Sequence, residues 1–553
     1  MFPSAAKYRD AGIIDINPGL WIISKDTMRK YIITLILLAT IYCTSEKYPD
    51  KSISNSLLPE TDIVLIPEKY NILDDDWIFG KTRATYRNRY LADHGYDHGE
   101  SATEQIDIGH TTHFTGYDYD RKIPLFFYGR WFNKGPKEEA VSLQHIVPTI
   151  AGLVGEKGGS FPEYSLVENT GSKPEIVVTV VIDQGGGDLL RRMVHLVPET
   201  AKIRQASADY INAGLAHLEA HTASGHASIG TGHYPASHGI AANSIYYPRQ
   251  GKMSARNVYT GKGIDLSWLK VSTLADIYDK NNGNKPVIIS QSYAARASIG
   301  MAGHGGRYDG GDRDFVYWLD KKSGVWETDY TSFSLPSNGL QFNVFSVFKK
   351  KYPQGFRGLN PSSWQELKNN WSLYMATPAE SEAEADFFID VIKREIMAKR
   401  KDIDGYTDLA FVNLKATDAA GHSYGPDSVE MEEALAATDR QIGKIFRFLE
   451  QHYHDNFAFI VTADHGVAPP VEFTGGSKLS FQEIHDHLLS LTNGKESVIR
   501  FMTQTQMGLN RDVMKKYNIS LEDVAGKLQG MEKNGDRFFR MVKRADDYRE
   551  SRN

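Results

Sequence analysis

Three apolar runs in this chain end in residues that bind cations. The run 176–182 (Ile-Val-Val-Thr-Val-Val-Ile) ends at Asp183, the run 409–414 leads to Asp418 and then His422, and the run 457–461 leads through Thr462 and Ala463 to Asp464-His465. A single aspartate at a strand end is commonplace and usually caps the next helix. Three such places, two of them with a histidine, exceed what capping explains. Carboxylate with imidazole is the ligand chemistry of Zn²⁺ and other borderline divalent ions, and this set is larger than one tetrahedral site needs. It therefore points to two metal ions. Two cations about 4 Å apart can stabilise both the attacking and the leaving oxygen of an in-line displacement at phosphorus.

A second stretch, 221–232, supplies a group that such ions would activate. It reads His-Thr-Ala-Ser-Gly-His-Ala-Ser-Ile-Gly-Thr-Gly, and Thr222 is its candidate nucleophile. A threonine hydroxyl attacks poorly at neutral pH until a base or a metal ion takes its proton, and taken alone Thr222 reads as a helix cap. The strand-end ligands supply the missing activation. A nucleophile at a helix N-terminus is also favoured there as it becomes an alkoxide.

The elements that must position these groups follow from the same runs. β-Branched strands without alternation belong to parallel sheets covered on both faces, and open α/β sheets place ligands at the C-terminal ends of their strands. The run 409–414, a helix over 428–451 and the run 457–461 form a βαβ unit. Further strands are expected at 62–66 and 123–128, and helices at 144–154 and 381–400. Residues 156–174, rich in Gly, Ser, Glu and Pro, read as a linker. The glycine- and aromatic-rich stretch from 247 to about 371 reads as a cap over the sheet, and 480–553 as charged and helical. The glycines after Asp183 do not have the spacing of a dinucleotide fingerprint.

The composition narrows the setting. The chain has 553 residues, 41% hydrophobic and 24% charged, with a net charge of −6. That is a globular composition, long enough for one large α/β domain with insertions. No Lys/Arg block marks a nucleic-acid surface. The lone cysteine, Cys43, excludes an intrachain disulfide and a thiolate metal cluster. Met28-Arg29-Lys30 followed by the apolar run 31–42 reads as a signal-peptide core, too short for a membrane span. On that reading residues 1–44 are a leader starting at Met28, the protein is exported to the periplasm or beyond, and Cys43 is a candidate lipid-attachment site, although Tyr42 before it is larger than such sites carry. The alternative is a buried N-terminal strand or helix.

Taken together, the apolar strand into Asp183-Gln184, Thr222-Ala223-Ser224-Gly225-His226, Asn243, Thr417-Asp418 to His422 and Ala463-Asp464-His465-Gly466 resemble the alkaline phosphatase superfamily. The resemblance is to its threonine-nucleophile branch, the phosphate-irrepressible bacterial alkaline phosphatases and the nucleotide pyrophosphatase/phosphodiesterases, and it extends over nearly all of 45–553. It implies an α/β three-layer sandwich with a largely parallel central sheet and a cap insertion. It also implies one metal held by Asp183, Thr222, Asp464 and His465, and a second held by Asp418, His422 and a histidine that in the family follows the Asp-His pair. His485 and His487 lie in an ordinary helical pattern and do not fit. Gly109-His110-Thr111-Thr112-His113, leading to Tyr117-Asp118-Tyr119-Asp120 and the run 123–128, resembles that last segment and makes His113 the ligand. Pro148-Thr149-Ile150-Ala151 matches the family's C-terminal helix.

The chain order is then circularly permuted. Residues 45–155 correspond to the usual tail, followed by the linker 156–174, the core half with the nucleophile (175–246), the cap (247–375) and the second core half (376–553). Whether this order is natural or a gene-assembly artefact, the ligand set is complete within one chain. Ala92-Asp93-His94-Gly95 repeats the Ala-Asp-His-Gly string but follows no apolar strand, so Asp464 and His465 are preferred.

The resemblance further implies that Asn243 and Arg296 bind the non-bridging phosphoryl oxygens. The monoesterases also carry a lysine two positions before that arginine, where this chain has Ala294. A dianionic monoester gains from two cationic contacts, whereas a diester carries one charge fewer. The expected function is hydrolysis of small phosphoric esters by two divalent ions, zinc by family, through a phosphothreonine. A phosphomonoesterase is the first reading; a phosphodiesterase or nucleotide pyrophosphatase and a non-catalytic metal-binding homologue are the alternatives. A transferase to lipid or sugar usually brings several membrane helices that this sequence lacks.

Overall fold

The computed structural model describes residues 13–17, 20–23 and 50–549 except 97, 98, 100, 170, 188 and 400–404. Two units divide the chain at Pro49. In the first, strands Ile13–Asn17 and Leu20–Ile23 pair as an antiparallel hairpin. The segment expected to direct export, 28–44 with Cys43, lies outside the described residues.

The second unit is built on a nine-stranded sheet. In chain order its strands are β1 (Leu125–Tyr128), β2 (Gly135–Lys137), β3 (Ile176–Ile182), β4 (Ala208–Tyr210), β5 (Ile288–Ser292), β6 (Phe315–Asp320), β7 (Val325–Glu327), β8 (Asp408–Leu414) and β9 (Phe457–Thr462). Their order across the sheet is β7-β6-β5-β8-β3-β9-β1-β4-β2. The five strands from β6 to β9 run parallel, and β7 and β1 flank them antiparallel.

The middle strands are buried along their whole length, as unalternating Val/Ile runs require. Val178, Val180 and Ile182 face one core and Val177 and Val181 the other, so hydrophobic layers cover both faces. Helices α4 (Pro378–Val391) and α6 (Val429–Tyr453) pack on the first face. Helices α1 (Ile146–Val154), α2 (Thr222–Thr231) and α3 (Ala295–Ala302) pack on the second. This is the expected three-layer α/β sandwich. Register carries it to the site: Ile182 pairs with Leu414 and Val181 with Thr462, so β3, β8 and β9 end together at one edge.

Two expectations differ from the structure. The stretch 247–375, read as a cap, contributes β5, β6 and β7 to the central sheet. Strand β5, Ile-Ile-Ser-Gln-Ser, is short and mixed with polar residues, whereas β6 is an apolar run, Phe-Val-Tyr-Trp-Leu, set among the other aromatic residues of that stretch. The region 480–553, read as helical, holds three strands of a second, six-stranded sheet: Ile499–Met502, Gln506–Leu509 and Phe539–Arg544. Strand Ile63–Pro67 lies between the last two, antiparallel to both. Two of the three have four residues, too few to show a period of two against a helical one.

Helices α2 and α3 touch through glycine. A Cβ on Gly230 would stand 2.2 Å from the Gly300 carbonyl oxygen, and one on Gly300 would stand 2.9 Å from the Ala227 nitrogen. The approach sets Thr222, at the start of α2, relative to Arg296, at the start of α3. Gly230→Ala is expected to destabilise the protein by about 1–3 kcal/mol, because the added methyl meets backbone that cannot rotate away. Urea unfolding measures this; an unchanged midpoint would show that the two helices can separate freely.

Candidate active site

The ends of β3, β8 and β9 bring the strand-end ligands together. Asp183 directly follows β3, Asp418 and His422 lie on helix α5 (Ala416–Tyr424) after β8, and Asp464-His465 follow β9. Donor atoms of Asp183, Asp464 and His465 lie within 4.8 Å of one another, and so do those of His113, Asp418 and His465. His422 Nε2 is 3.3 Å from Asp418 Oδ1. The His113 ring centroid is 3.6 Å from that of His465 and 5.1 Å from that of His422. His465 thus stands within reach of both groups rather than beside Asp183 and Asp464 alone. The alternative pair is elsewhere: His94 is exposed, bonded to the Tyr90 carbonyl and packed on Phe473.

Each of the three histidines has its Nδ1 on a backbone carbonyl. His113 Nδ1 bonds Ala220 O, His422 Nδ1 bonds Thr111 O at 2.8 Å, and His465 Nδ1 bonds Gly466 O at 3.0 Å. A carbonyl only accepts, so each Nδ1 carries a proton and Nε2 is the nitrogen left to face a cation. That is the arrangement found in metal-ligating histidines.

The carboxylates show the same demand. Asp183 Oδ1 and Asp464 Oδ2 are buried with no hydrogen-bond donor. Burial, then the Asp464 charge, push the Asp183 carboxyl well above its ordinary range. For Asp464, burial is outweighed first by the charge of His465, which holds it at about 2. For Asp418, burial is outweighed first by Lys415, and its carboxyl falls well below the usual range. Nitrogen and oxygen donors with unpaired lone pairs and excess negative charge fit a pair of borderline divalent cations.

Thr222 is the first residue of α2, with His221 as the cap, so its hydroxyl is not spent on capping. Thr222 Oγ1 lies 3.3 Å from His465 Nε2. Gly225, one turn along, lets α2 approach the ligand: a Cβ there would sit 2.7 Å from the Asp464 carbonyl oxygen. Asn243 Oδ1 accepts from the Ala223 N–H at 2.9 Å, and the Asn243 N–H donates to His221 Nδ1 at 3.3 Å. Arg296 has a buried Nε without a partner. With Asn243, His422, Trp77, Phe114 and Tyr246 it lines a cleft of about 220 Å³.

Three groups here escape sequence reasoning. Lys415 Nζ lies 2.9 Å from Asp183 Oδ2 and 2.7 Å from Asp418 Oδ2, bridging the two groups of carboxylates. Its position three residues before Asp418 was the available signal. Phe114, next to His113, has φ of +97° and stacks on His221 with centroids 4.1 Å apart. Gln184, next to Asp183, has φ of +61°. A bulky residue in the left-handed region costs about 1–3 kcal/mol and persists where its surroundings fix it.

The sequence profile described as type I phosphodiesterase / nucleotide pyrophosphatase matches residues 177–553. Alkaline phosphatase PhoV of Synechococcus elongatus is 26% identical over 344 residues, which cover 55% of this chain and only 60% of PhoV. Alkaline phosphatase PafA of Elizabethkingia meningoseptica is 25% identical over 403 residues, covering 64% of this chain and 72% of PafA. The wild-type PafA crystal structure superposes with a TM-score of 0.52 at 22% identity, over 65% of this chain and 77% of that one. A PafA variant substituted at a threonine, an asparagine, a lysine and an arginine matches with the same TM-score, 0.52; its lysine precedes its arginine by two positions. The profile spans more than half of the chain, and this chain belongs to the type I phosphodiesterase / nucleotide pyrophosphatase family, with the α/β fold of alkaline phosphatase PafA.

Proposed function

We propose that the protein hydrolyses phosphoric esters of small alcohols, first of all monoesters, with two zinc ions and a phosphothreonine formed on Thr222. The observation that carries this reading is convergence. A threonine hydroxyl 3.3 Å from His465 Nε2 stands among carboxylates and imidazoles drawn from four separate chain segments. Asp183, Asp464 and His465 would hold one ion, and Asp418, His422 and His113 the other. Bound there, the ions would lower the pKa of the Thr222 hydroxyl and offset charge on the departing oxygen.

The chain's own groups do the rest. Thr222 Oγ1 forms its bond to phosphorus as the ester P–O bond breaks in line, and the alcohol leaves. Water then attacks the phosphothreonine, releasing phosphate and restoring the hydroxyl. Asn243, anchored through Oδ1 to Ala223, offers its amide Nδ2 to a non-bridging oxygen. Arg296 offers its guanidinium to the others, where a loose transition state needs positioning and charge balance.

The permuted order belongs to this proposal. Arg549 donates to the carbonyls of Leu58, Pro59 and Thr61 at 3.2, 2.8 and 2.7 Å, and the Ala545 N–H donates to Asp62 O at 3.0 Å. The two ends of the second unit therefore lie where a chain in the other order would run on. The profile begins at residue 177, while His113 reaches the site from before it. Export, to the periplasm or beyond, rests on the basic start and apolar run at 28–42. No helix among the described residues is long and apolar enough to cross a membrane.

Thr222→Ala is expected to keep the fold and lose at least about 10³-fold in kcat on an aryl phosphate. Arg296→Ala should lose more on an aryl phosphate than on an aryl phosphodiester, since the dianion gains more from a cation. Wild-type turnover that strongly favours the diester would make the protein a phosphodiesterase instead. Chelation should abolish activity and lower the melting temperature, because ligands that bind only the folded state stabilise it. Metal analysis of His113→Ala should show a drop from two ions per chain towards one; an unchanged two would place His113 outside the ligand set.

A further inference from the structure

Ala294 leaves the phosphoryl cleft with one cationic side chain fewer than the relative whose lysine precedes its arginine by two positions. A second lysine stands on the neighbouring strand. Strands β5 and β6 are parallel, with Ser292 paired to Trp318. Lys321 therefore emerges from the end of β6 beside the segment that runs from Ser292 through Tyr293 and Ala294 to Arg296.

Its surroundings fix it beside the segment that carries Arg296. Lys321 Nζ lies over the Tyr293 ring, 4.6 Å from the centroid, the geometry of a cation–π contact. Tyr293 is a fixed platform, since Trp371 Nε1 donates to its hydroxyl at 2.6 Å and the two rings stack. The ammonium has no hydrogen bond or ion pair among the described residues. The nearest carboxylate in sequence, Asp320, is occupied by the Lys322 N–H and the Ser323 hydroxyl. The charges that act on Lys321 are Arg296, Lys415 and Asp418, all groups of the candidate site.

We propose that Lys321 makes the second cationic contact to the phosphoryl group, doing from the adjacent strand what a lysine at position 294 would do. The proposal rests on the reading of this site as a phosphoryl-transfer centre. Hydration and charge agree with it. Lys321 is open to solvent, yet loss of hydration first, then Arg296 and Lys415, pull its ammonium down to about 8. An unpaired cation held beside another cation gains when a dianion binds between them.

The test compares Lys321→Ala, Lys321→Arg and the double variant Lys321→Ala/Ala294→Lys in the metal-loaded full chain. Two readouts are used: kcat/KM on an aryl phosphate and an aryl phosphodiester, and calorimetric binding of inorganic phosphate. Lys321→Ala should lose roughly 10- to 100-fold on the monoester and in phosphate affinity, but less than about 3-fold on the diester. Lys321→Arg should retain part of the monoester rate, and Ala294→Lys should restore most of what Lys321→Ala loses. Equal losses on both esters, or no loss of phosphate affinity, would overturn the proposal. If wild type turns over neither ester, the catalytic reading fails, and phosphate binding still decides the role of Lys321.

Discussion

Burying Asp183, Asp418 and Asp464 side by side is the constraint on which this structure turns. Like charges removed from water repel strongly and demand a compensating cation. Lys415 answers part of the demand, reaching one oxygen of Asp183 and one of Asp418. It leaves Asp183 Oδ1 and Asp464 Oδ2 without donors and three histidines whose Nδ1 atoms are tied to carbonyls, leaving Nε2 to face a cation. Divalent ions would satisfy both shortages at once. The left-handed backbone at Gln184 and Phe114, each next to a proposed ligand, is what a site over-determined by its packing can hold.

The sheet makes such crowding possible. Registered, fully buried strands end together, so residues hundreds of positions apart in sequence emerge at the same edge. The His113 segment is stitched to that edge rather than carried by a strand. Thr111 and Thr112 exchange hydrogen bonds with Ala468, at 2.8 Å from the Thr111 hydroxyl and 3.0 Å to the Thr112 carbonyl. Lys478 Nζ donates to His110 O at 2.6 Å. These contacts join a segment from early in the chain to the loop after β9, and they place His113 against His465.

The strand-end ligands were legible because their signal is local. An unbroken Val/Ile run announces a buried parallel strand, and the residue after it is where α/β sheets do chemistry. Thr222 was legible through its glycine- and hydroxyl-rich surroundings. His113 was not, from spacing alone: its loop has no apolar lead, and only the family resemblance singled it out. Strands such as Ile-Ile-Ser-Gln-Ser at 288–292 and Gln-Met-Gly-Leu at 506–509 were hidden for a different reason, since short strands with polar residues owe their conformation to their neighbours in the sheet. Lys415 and Lys321 show the same limit in side chains. Nothing in Leu-Lys-Ala-Thr or Asp-Lys-Lys-Ser states that a lysine will meet buried carboxylates or lie over a tyrosine; register and packing decide that.

The central claim is that Thr222 carries the phosphoryl group between two displacements. Rapid acid quench of the metal-loaded enzyme during turnover of an activated aryl phosphate, followed by peptide mass spectrometry, tests it most directly. The account predicts a phosphorylated peptide containing Thr222, with the modification on that residue. Turnover with no phosphopeptide under any quench, or with the phosphoryl group on another side chain, would contradict it.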